Sequence, residues 1–339
     1  MEGVYQPSAR LSSVHYLGRD MPRTVQTVDY HTAGEPFRIV TGGVPALQGR
    51  TVLDQRRFAM RELDDVRRLL VHEPRGHADM YGCFLAEAEA GGNLGAVFFH
   101  SHGFSTACGH GTIALVTWAL ESGRLPGVET DGERRVTVDV PSGRLCATAV
   151  LRAGDVTSVR FENVPAYVEA LGVPAAGLQV DLAFGGAFYA VAEAPGGVAP
   201  ARLPDLVALA RRVRDDLNRR CPPVHPLEPE LREVYGVIWT DGDANVTVFG
   251  DGEVDRSPCG SGTSARLALL DASGALPRGA VLTHRGILGT EFLGRVVGAA
   301  DVAGRPAVVT EIEGSAHVTG RHEFVLEPGD PLGSGFLLR

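Results

Sequence analysis

Two short stretches carry residue types that can do chemistry together: Cys108-Gly-His-Gly-Thr and Cys259-Gly-Ser-Gly-Thr, identical at four of five positions. Each follows a polar, glycine-containing stretch and opens an apolar run, residues 113–120 and 265–270, so each cysteine is predicted at a helix N-terminus. Unpaired N–H groups and the positive dipole end there favour the thiolate over a thiol whose ordinary pKa is about 8.5. Cys108 and Cys259 are therefore expected to be low-pKa thiols. Gly109, Gly111, Gly260 and Gly262 let backbone amides come close to a ligand, and a carboxylate suits such amides. If the two halves are related by an approximate two-fold axis, the motifs meet across a cleft with one sulfur on either face of a substrate. One thiolate then removes the proton α to the carboxylate while the opposite thiol delivers another, which inverts the carbon.

The elements that must hold these motifs also come twice. Ala59, Leu63, Val66 and Leu70 are spaced for one helical face, and Leu206, Leu209, Val213 and Leu217 repeat the spacing after a Pro204/Asp205 start. The two helices precede their cysteines by similar distances, 37 residues from Val71 to Cys108 and 39 from Arg220 to Cys259. Upstream of each lies a glycine pair beside a β-rich segment, FRIVTGG (Phe37 to Gly43) and FGGAFYAV (Phe184 to Val191). Residues 136–140, 157–164 and 246–250 read as strands from their β-branched and aromatic content. A duplicated α/β unit follows, its second copy starting near Asn163 to Tyr167. Two strand-rich lobes with a central helix each fit better than one doubly wound sheet.

Composition excludes several classes. A chain of 339 residues predicts two cores, and a net charge of −9 argues against broad nucleic-acid binding, which needs a basic face. No signal-peptide core or membrane-spanning apolar run is present, and five cysteines spread over the chain are no disulfide framework, which points to the cytoplasm. All 32 basic residues are arginine, so no lysine can carry pyridoxal phosphate. No cofactor, metal or membrane is expected; the partner is a small molecule, and a homodimer stays open.

Rival assignments are weaker. The stretches from Gly109 to Ala114 and from Gly260 to Ala265 loosely match a dinucleotide fingerprint, but residues 101–106 are too polar for its preceding strand. His100, His102, Cys108 and His110 can be drawn as a zinc site, although their spacing is not a common zinc pattern and a metal would consume Cys108 as a base. A binding module that captures an amino acid without turnover is the remaining class. His110 and Asp255 flank the two cysteines and either can hold a substrate ammonium; the bland alternatives are a satisfied histidine and a cap on the turn through Ser257 and Pro258. Residues 56–68 mix arginines with Glu62, Asp64 and Asp65 and read as a solvated face, while Cys83, Cys146 and Cys221 are given no role.

From about Thr24 onward the chain resembles the proline racemase family, which includes proline racemases, 4-hydroxyproline 2-epimerases and trans-3-hydroxyproline dehydratases. The resemblance rests on DYHTAGEPFRIV (Asp29 to Val40), EPRGHADMYG (Glu73 to Gly82), CGHGTIAL (Cys108 to Leu115), ENVPAY (Glu162 to Tyr167), DLAFGGAFYAV (Asp181 to Val191) and DGEVDRSPCGSGTSARLA (Asp251 to Ala268). It implies the α/β fold of diaminopimelate epimerase: two pseudo-symmetric lobes, each a strongly curved sheet or barrel around a central helix, closing over the substrate. Lobe bounds are set at 24–165, completed by about 331–339, and 166–330, with 1–23 an extension. The resemblance further implies Cys108 and Cys259 as the acid/base pair and His110 and Asp255 on the substrate's ring nitrogen. The amides of Gly109, His110, Gly260 and Ser261 would receive the carboxylate, and Tyr81 and Phe249 would wall the ring. Dehydratases of the family carry threonine where Cys259 stands, so two thiols favour racemisation or epimerisation of proline or a hydroxyproline. Against that, Tyr81 replaces the phenylalanine usual in proline racemases, and DMYG is a spelling of the dehydratases. His100 and His102 depart from the family pattern.

Overall fold

The computed structural model describes residues 24–126 and 130–338, so the extension assigned to 1–23 lies outside the described residues. Five α-helices are described: α1 (Val52–Glu62), α2 (Asp64–Val71), α3 (Gly109–Glu121), α4 (Leu203–Arg220) and α5 (Gly260–Ser273). Apart from a 3-10 turn at Pro200–Arg202, the remaining regular structure among the described residues is a continuous, curved β-sheet of 18 strands with mostly antiparallel pairing.

Strand pairing runs the same way twice. First, Thr24–Thr32 and Glu35–Gly42 form a hairpin; after α1 and α2, Tyr81–Ala86 joins parallel to the hairpin's second strand and pairs antiparallel with Leu94–His100. Then Leu178–Phe184 and Phe188–Glu193 form a hairpin; after α4, Val234–Asp241 joins it parallel and pairs antiparallel with Ala244–Phe249. Beyond α3, Gly132–Val140 runs parallel to Leu94–His100, as Leu282–Arg285 does to Ala244–Phe249 beyond α5. The two sets share a seam where residues 159–162 pair with 311–314. Ala316–Val325 returns to Thr24–Thr32 just as Tyr167–Ala175 pairs with Leu178–Phe184. The segment that rejoins the first set thus starts at Ala316, ahead of residue 331, and Glu73 bridges Phe336 beyond it. The mixed polar sequence of that strand gave no hint of which edge it completes.

The central helices are α3 and α5. Every residue of α3 from Gly109 to Leu120 is buried, as expected of a helix that is apolar on all sides and enclosed by sheet. The α4 helix is amphipathic and buries Leu206, Ala210, Val213 and Leu217; Leu209, read from sequence onto that face, is only half-buried. The helix predicted through Ala59 and Leu70 is divided at Leu63, whose backbone (φ −124°, ψ 11°) ends α1 and starts α2. Ala59, Leu63, Val66 and Leu70 stay buried together across the break, so one apolar face serves both helices. The duplicated glycine signal is corrected by the pairing: Gly185 and Gly186 form the turn of the second hairpin, and their counterpart in the first is the Ala33–Gly34 turn, not Gly42 and Gly43.

Candidate active site

The two central helices meet at their starts. A Cβ built on Gly260 would lie 2.6 Å from the Cα of Gly109, an approach that only two glycines permit. A cysteine occupies the N-cap position of each helix. Cys108 is extended, and its Sγ accepts the N–H of Gly111 at 3.2 Å. Cys259 adopts φ 65°, a left-handed conformation costly for a residue with a side chain and characteristic of functional positions. Ser257 holds it there: its Oγ accepts the N–H of Cys259 at 3.1 Å, and it donates to Asp255 Oδ1 from both Oγ (2.6 Å) and backbone N–H (2.8 Å).

Around these sulfurs closes a cavity of about 10 Å³, room for a single water-sized body. All nine residues picked out from the sequence line it: Cys108, Gly109, His110, Tyr81, Phe249, Asp255, Cys259, Gly260 and Ser261. The His110 ring stands edge-on to Tyr81 (centroids 5.0 Å apart), with its nitrogens 3.5 and 3.6 Å from Cys108 Sγ. Tyr81 and Phe249 form a tilted pair at 5.8 Å. The Tyr81 hydroxyl donates to Ser105 and contacts the Tyr235 hydroxyl at 3.2 Å, so it is satisfied within the protein.

Three lining residues, Ala107, Tyr189 and Tyr235, were missed by the sequence reading. Tyr189 lies inside the quoted DLAFGGAFYAV stretch; its hydroxyl is 2.8 Å from Ser261 Oγ and 3.8 Å from Cys259 Sγ. Tyr235 stacks on Phe249 at 5.5 Å. Gly82 pairs with Arg38 and Gly236 with Tyr189 in matching parallel ladders, so Tyr81 and Tyr235 are counterparts in the two sets. A search for repeated Tyr-Gly steps ahead of each cysteine motif would have found Tyr235.

Electrostatically the cavity disfavours charge. Burial pushes the Cys108 thiol well above its ordinary value, and the charges of Asp255, Cys259 and Glu35 add to that against the Gly111 N–H. Burial, then Asp255, pushes Cys259 up to about 12. The expectation of lowered thiols is thus reversed in this closed arrangement, where desolvation outweighs the helix ends. Burial also raises the Asp255 carboxyl, against its bonds from Ser257, and holds His110 down to about 3, with the Arg256 guanidinium adding to it. The zinc set drawn from sequence does not assemble: His100 and His102 meet at Glu253, while Cys108 and His110 line the cavity.

The chain is similar to known proteins along nearly all of its described length. The model of the proline racemase family matches residues 27–337. The trans-3-hydroxy-L-proline dehydratase of Bacillus cereus is 43% identical over 328 residues, covering 92% of this chain and 97% of that protein. The 3-hydroxyproline 2-epimerase of Burkholderia multivorans is 40% identical over 333 residues, 94% of this chain and 99% of that one. A hydroxyproline epimerase from Agrobacterium vitis, solved with bound trans-4-hydroxy-L-proline, superposes with a TM-score of 0.85 at 32% identity, covering 93% of this chain and 96% of that one. The architecture is the mixed α/β fold of the diaminopimelate epimerase type. With the family's pattern matched over nearly all its described length and a capping cysteine at each of two abutting helices, the chain belongs to the proline racemase family.

Proposed function

We propose that the protein is an epimerase or racemase that inverts the α-carbon of proline or a hydroxyproline through two thiols, with no cofactor. A thiolate at Cys108 or Cys259 takes the α-proton from one face. The electron pair left behind is delocalised into the carboxylate, which the amides of Gly109, His110, Gly260 and Ser261 would receive. The opposite thiol gives its proton to the other face, and the two sulfurs exchange protonation states. His110 and Asp255 would hold the ring nitrogen, with Tyr81 and Phe249 against the ring, once the cavity has opened beyond the single water-sized body it admits here. All five cysteines are free, in line with a reducing, cytoplasmic setting.

One observation supports this above the rest: two cysteine-capped helix starts abut at Gly109 and Gly260 and share one cavity. The second reading, dehydration of trans-3-hydroxy-L-proline, is favoured by the name of the 43%-identical relative. Stereochemistry separates the two. In trans-3-hydroxyproline the α-hydrogen and the 3-hydroxyl lie on the same ring face, so one acid/base group on that face suffices to expel water. A second thiol on the opposite face is needed for inversion alone.

The test is to incubate the enzyme in D2O with L-proline, trans-4-hydroxy-L-proline and trans-3-hydroxy-L-proline side by side, following chiral chromatography and mass. Inversion with one α-deuteron incorporated is expected, and Cys108→Ser or Cys259→Ser should each abolish it. Formation of the cyclic imine from trans-3-hydroxy-L-proline as the sole product, undiminished in Cys259→Ser, would establish the dehydratase instead. Tight amino-acid binding with neither product would leave a binding protein.

A further inference from the structure

Behind the aromatic wall of the cavity, three side chains from the two strand sets converge. His100 ends the strand Leu94–His100, His102 follows in the turn, and Glu253 opens the strand Glu253–Asp255. We propose that His100, His102 and Glu253 bind one divalent cation of the zinc class, which pins the two strand sets together beside the substrate cavity.

The donor set is two imidazoles and one carboxylate, a combination that suits zinc. His100 Nδ1 lies 2.5 Å and His102 Nδ1 3.4 Å from Glu253 Oε2, and the three ligand atoms all fall within 4.8 Å of one another. Metal–ligand bonds of about 2.1 Å at tetrahedral angles separate ligand atoms by about 3.4 Å. The His102–Glu253 pair already stands at that spacing; the His100–Glu253 pair must open by about 0.9 Å to reach it.

Glu253 is 1% exposed, and a carboxylate so buried must be paired or must coordinate a cation. Its Oε1 is oriented by the Ser101 N–H at 3.0 Å, whereas Oε2 makes no hydrogen bond of regular geometry and faces the two imidazoles. The turn that presents the imidazoles is itself fixed. Arg67 Nη1 donates to the carbonyls of His100 (2.8 Å) and Ser101 (2.7 Å), and His72 Nε2 reaches the Ser101 carbonyl at 2.7 Å. Such outer supports are what orient metal ligands. The Arg67 charge is balanced by Asp64 at 2.7 Å, so it does not oppose a cation outright. Access is present as well, because His102 lines a cavity of about 480 Å³ that also touches Ser101 and Val254. The competing occupant of Oε2 is a proton shared with an imidazole.

A cation here would act on the substrate site through position. The His100 ring packs 5.4 Å from Tyr81 and 5.6 Å from Phe249, and Asp255 lies two residues beyond Glu253 on the same strand. These are positioning residues, and their test does not depend on turnover. Untagged protein stripped with a chelator is titrated with ZnCl2, read by calorimetry and thermal unfolding, and with CoCl2, read by the visible d–d absorption of a tetrahedral site. One equivalent should bind saturably and raise the Tm. His102→Ala, a change at a partly exposed side chain, should weaken binding by at least the ~10–100-fold typical of an outer-shell partner, and Glu253→Gln by more. Binding should persist in a Cys108→Ala/Cys259→Ala double variant. Absence of saturable binding to the wild type, binding that His102→Ala leaves unchanged, or binding lost with the two cysteines would each overturn the proposal.

Discussion

The sharpest perturbation of the site adds one methyl group between the helix starts. In Gly260→Ala the new Cβ meets Gly109 Cα at 2.6 Å and the Gly109 carbonyl carbon at 3.2 Å, both backbone atoms that cannot swing aside. Ordinary carbon contacts begin near 3.5 Å, so α3 and α5 must separate by about 0.9 Å. The amide of residue 260 is retained, and alanine is the better helix former, so the fold should survive with a net loss of about 1–3 kcal/mol from overpacking. What suffers is the spacing of the two sulfurs, since both cysteines cap the displaced helices. A misplacement of about 1 Å costs on the order of 10²-fold in rate, so kcat for α-proton exchange in D2O, followed by NMR, should fall by about that factor. Gly298→Ala is the control, because its nearest neighbours, on Val309, stand at an ordinary 3.6 and 3.7 Å. A Gly260→Ala enzyme within about threefold of wild type, under about 1 kcal/mol in barrier, would show that the sulfurs' separation is not set by this contact.

Other consequences follow from single contacts. Tyr189→Phe removes the hydroxyl that contacts Ser261 at 2.8 Å and Cys259 at 3.8 Å; a stability loss of about 1 kcal/mol and a kcat effect larger than the KM effect are expected from chemical denaturation and steady-state kinetics. His110 is held neutral down to about pH 3 in the fold, whereas an unfolded histidine protonates near 6.5. The unfolded chain then binds the extra proton, so His110 costs stability progressively as pH falls from about 6.5 to 3. Denaturation midpoints of wild type and His110→Gln should therefore diverge in the variant's favour by up to about 1.4 kcal/mol per pH unit in that window, and parallel curves would refute it.

Much of the site was legible because its chemistry is local in sequence. A cysteine, two glycines and an apolar run specify a capped, buried helix on their own, and doing so twice announces the duplication. Tyr235 escaped because the Tyr-Gly step it shares with Tyr81 is too short to stand out as a repeat, and the equivalent registers of Gly82 and Gly236 are what give that step its meaning. Glu253 escaped for a similar reason: 151 residues separate it from His102, and only the folding of one strand set against the other brings them together. The thiol shifts were misjudged in sign because a helix end is read from sequence, whereas desolvation depends on how tightly the cavity closes.

That closure raises the question of how a thiolate forms at all. Asp255 is the charge that adds to burial in raising both thiols, so the residue proposed to hold the substrate also suppresses its attacker. A ring ammonium docking on Asp255 would cancel that charge and release the suppression, coupling thiol ionisation to the arrival of a zwitterion. Asp255→Asn separates the two effects. An asparagine oxygen can still accept from the Ser257 N–H and Oγ, so the turn before Cys259 should hold. Without the negative charge both thiols should ionise more readily, and alkylation by iodoacetamide at fixed pH should quicken in the free enzyme. Turnover should move the opposite way, with kcat/KM falling by the ~1.5–3 kcal/mol of a hydrogen bond to a charged group, roughly 10- to 150-fold. Alkylation that slows together with turnover would mean that Asp255 supports the thiolate instead of restraining it, and the coupling to substrate charge would have to be abandoned.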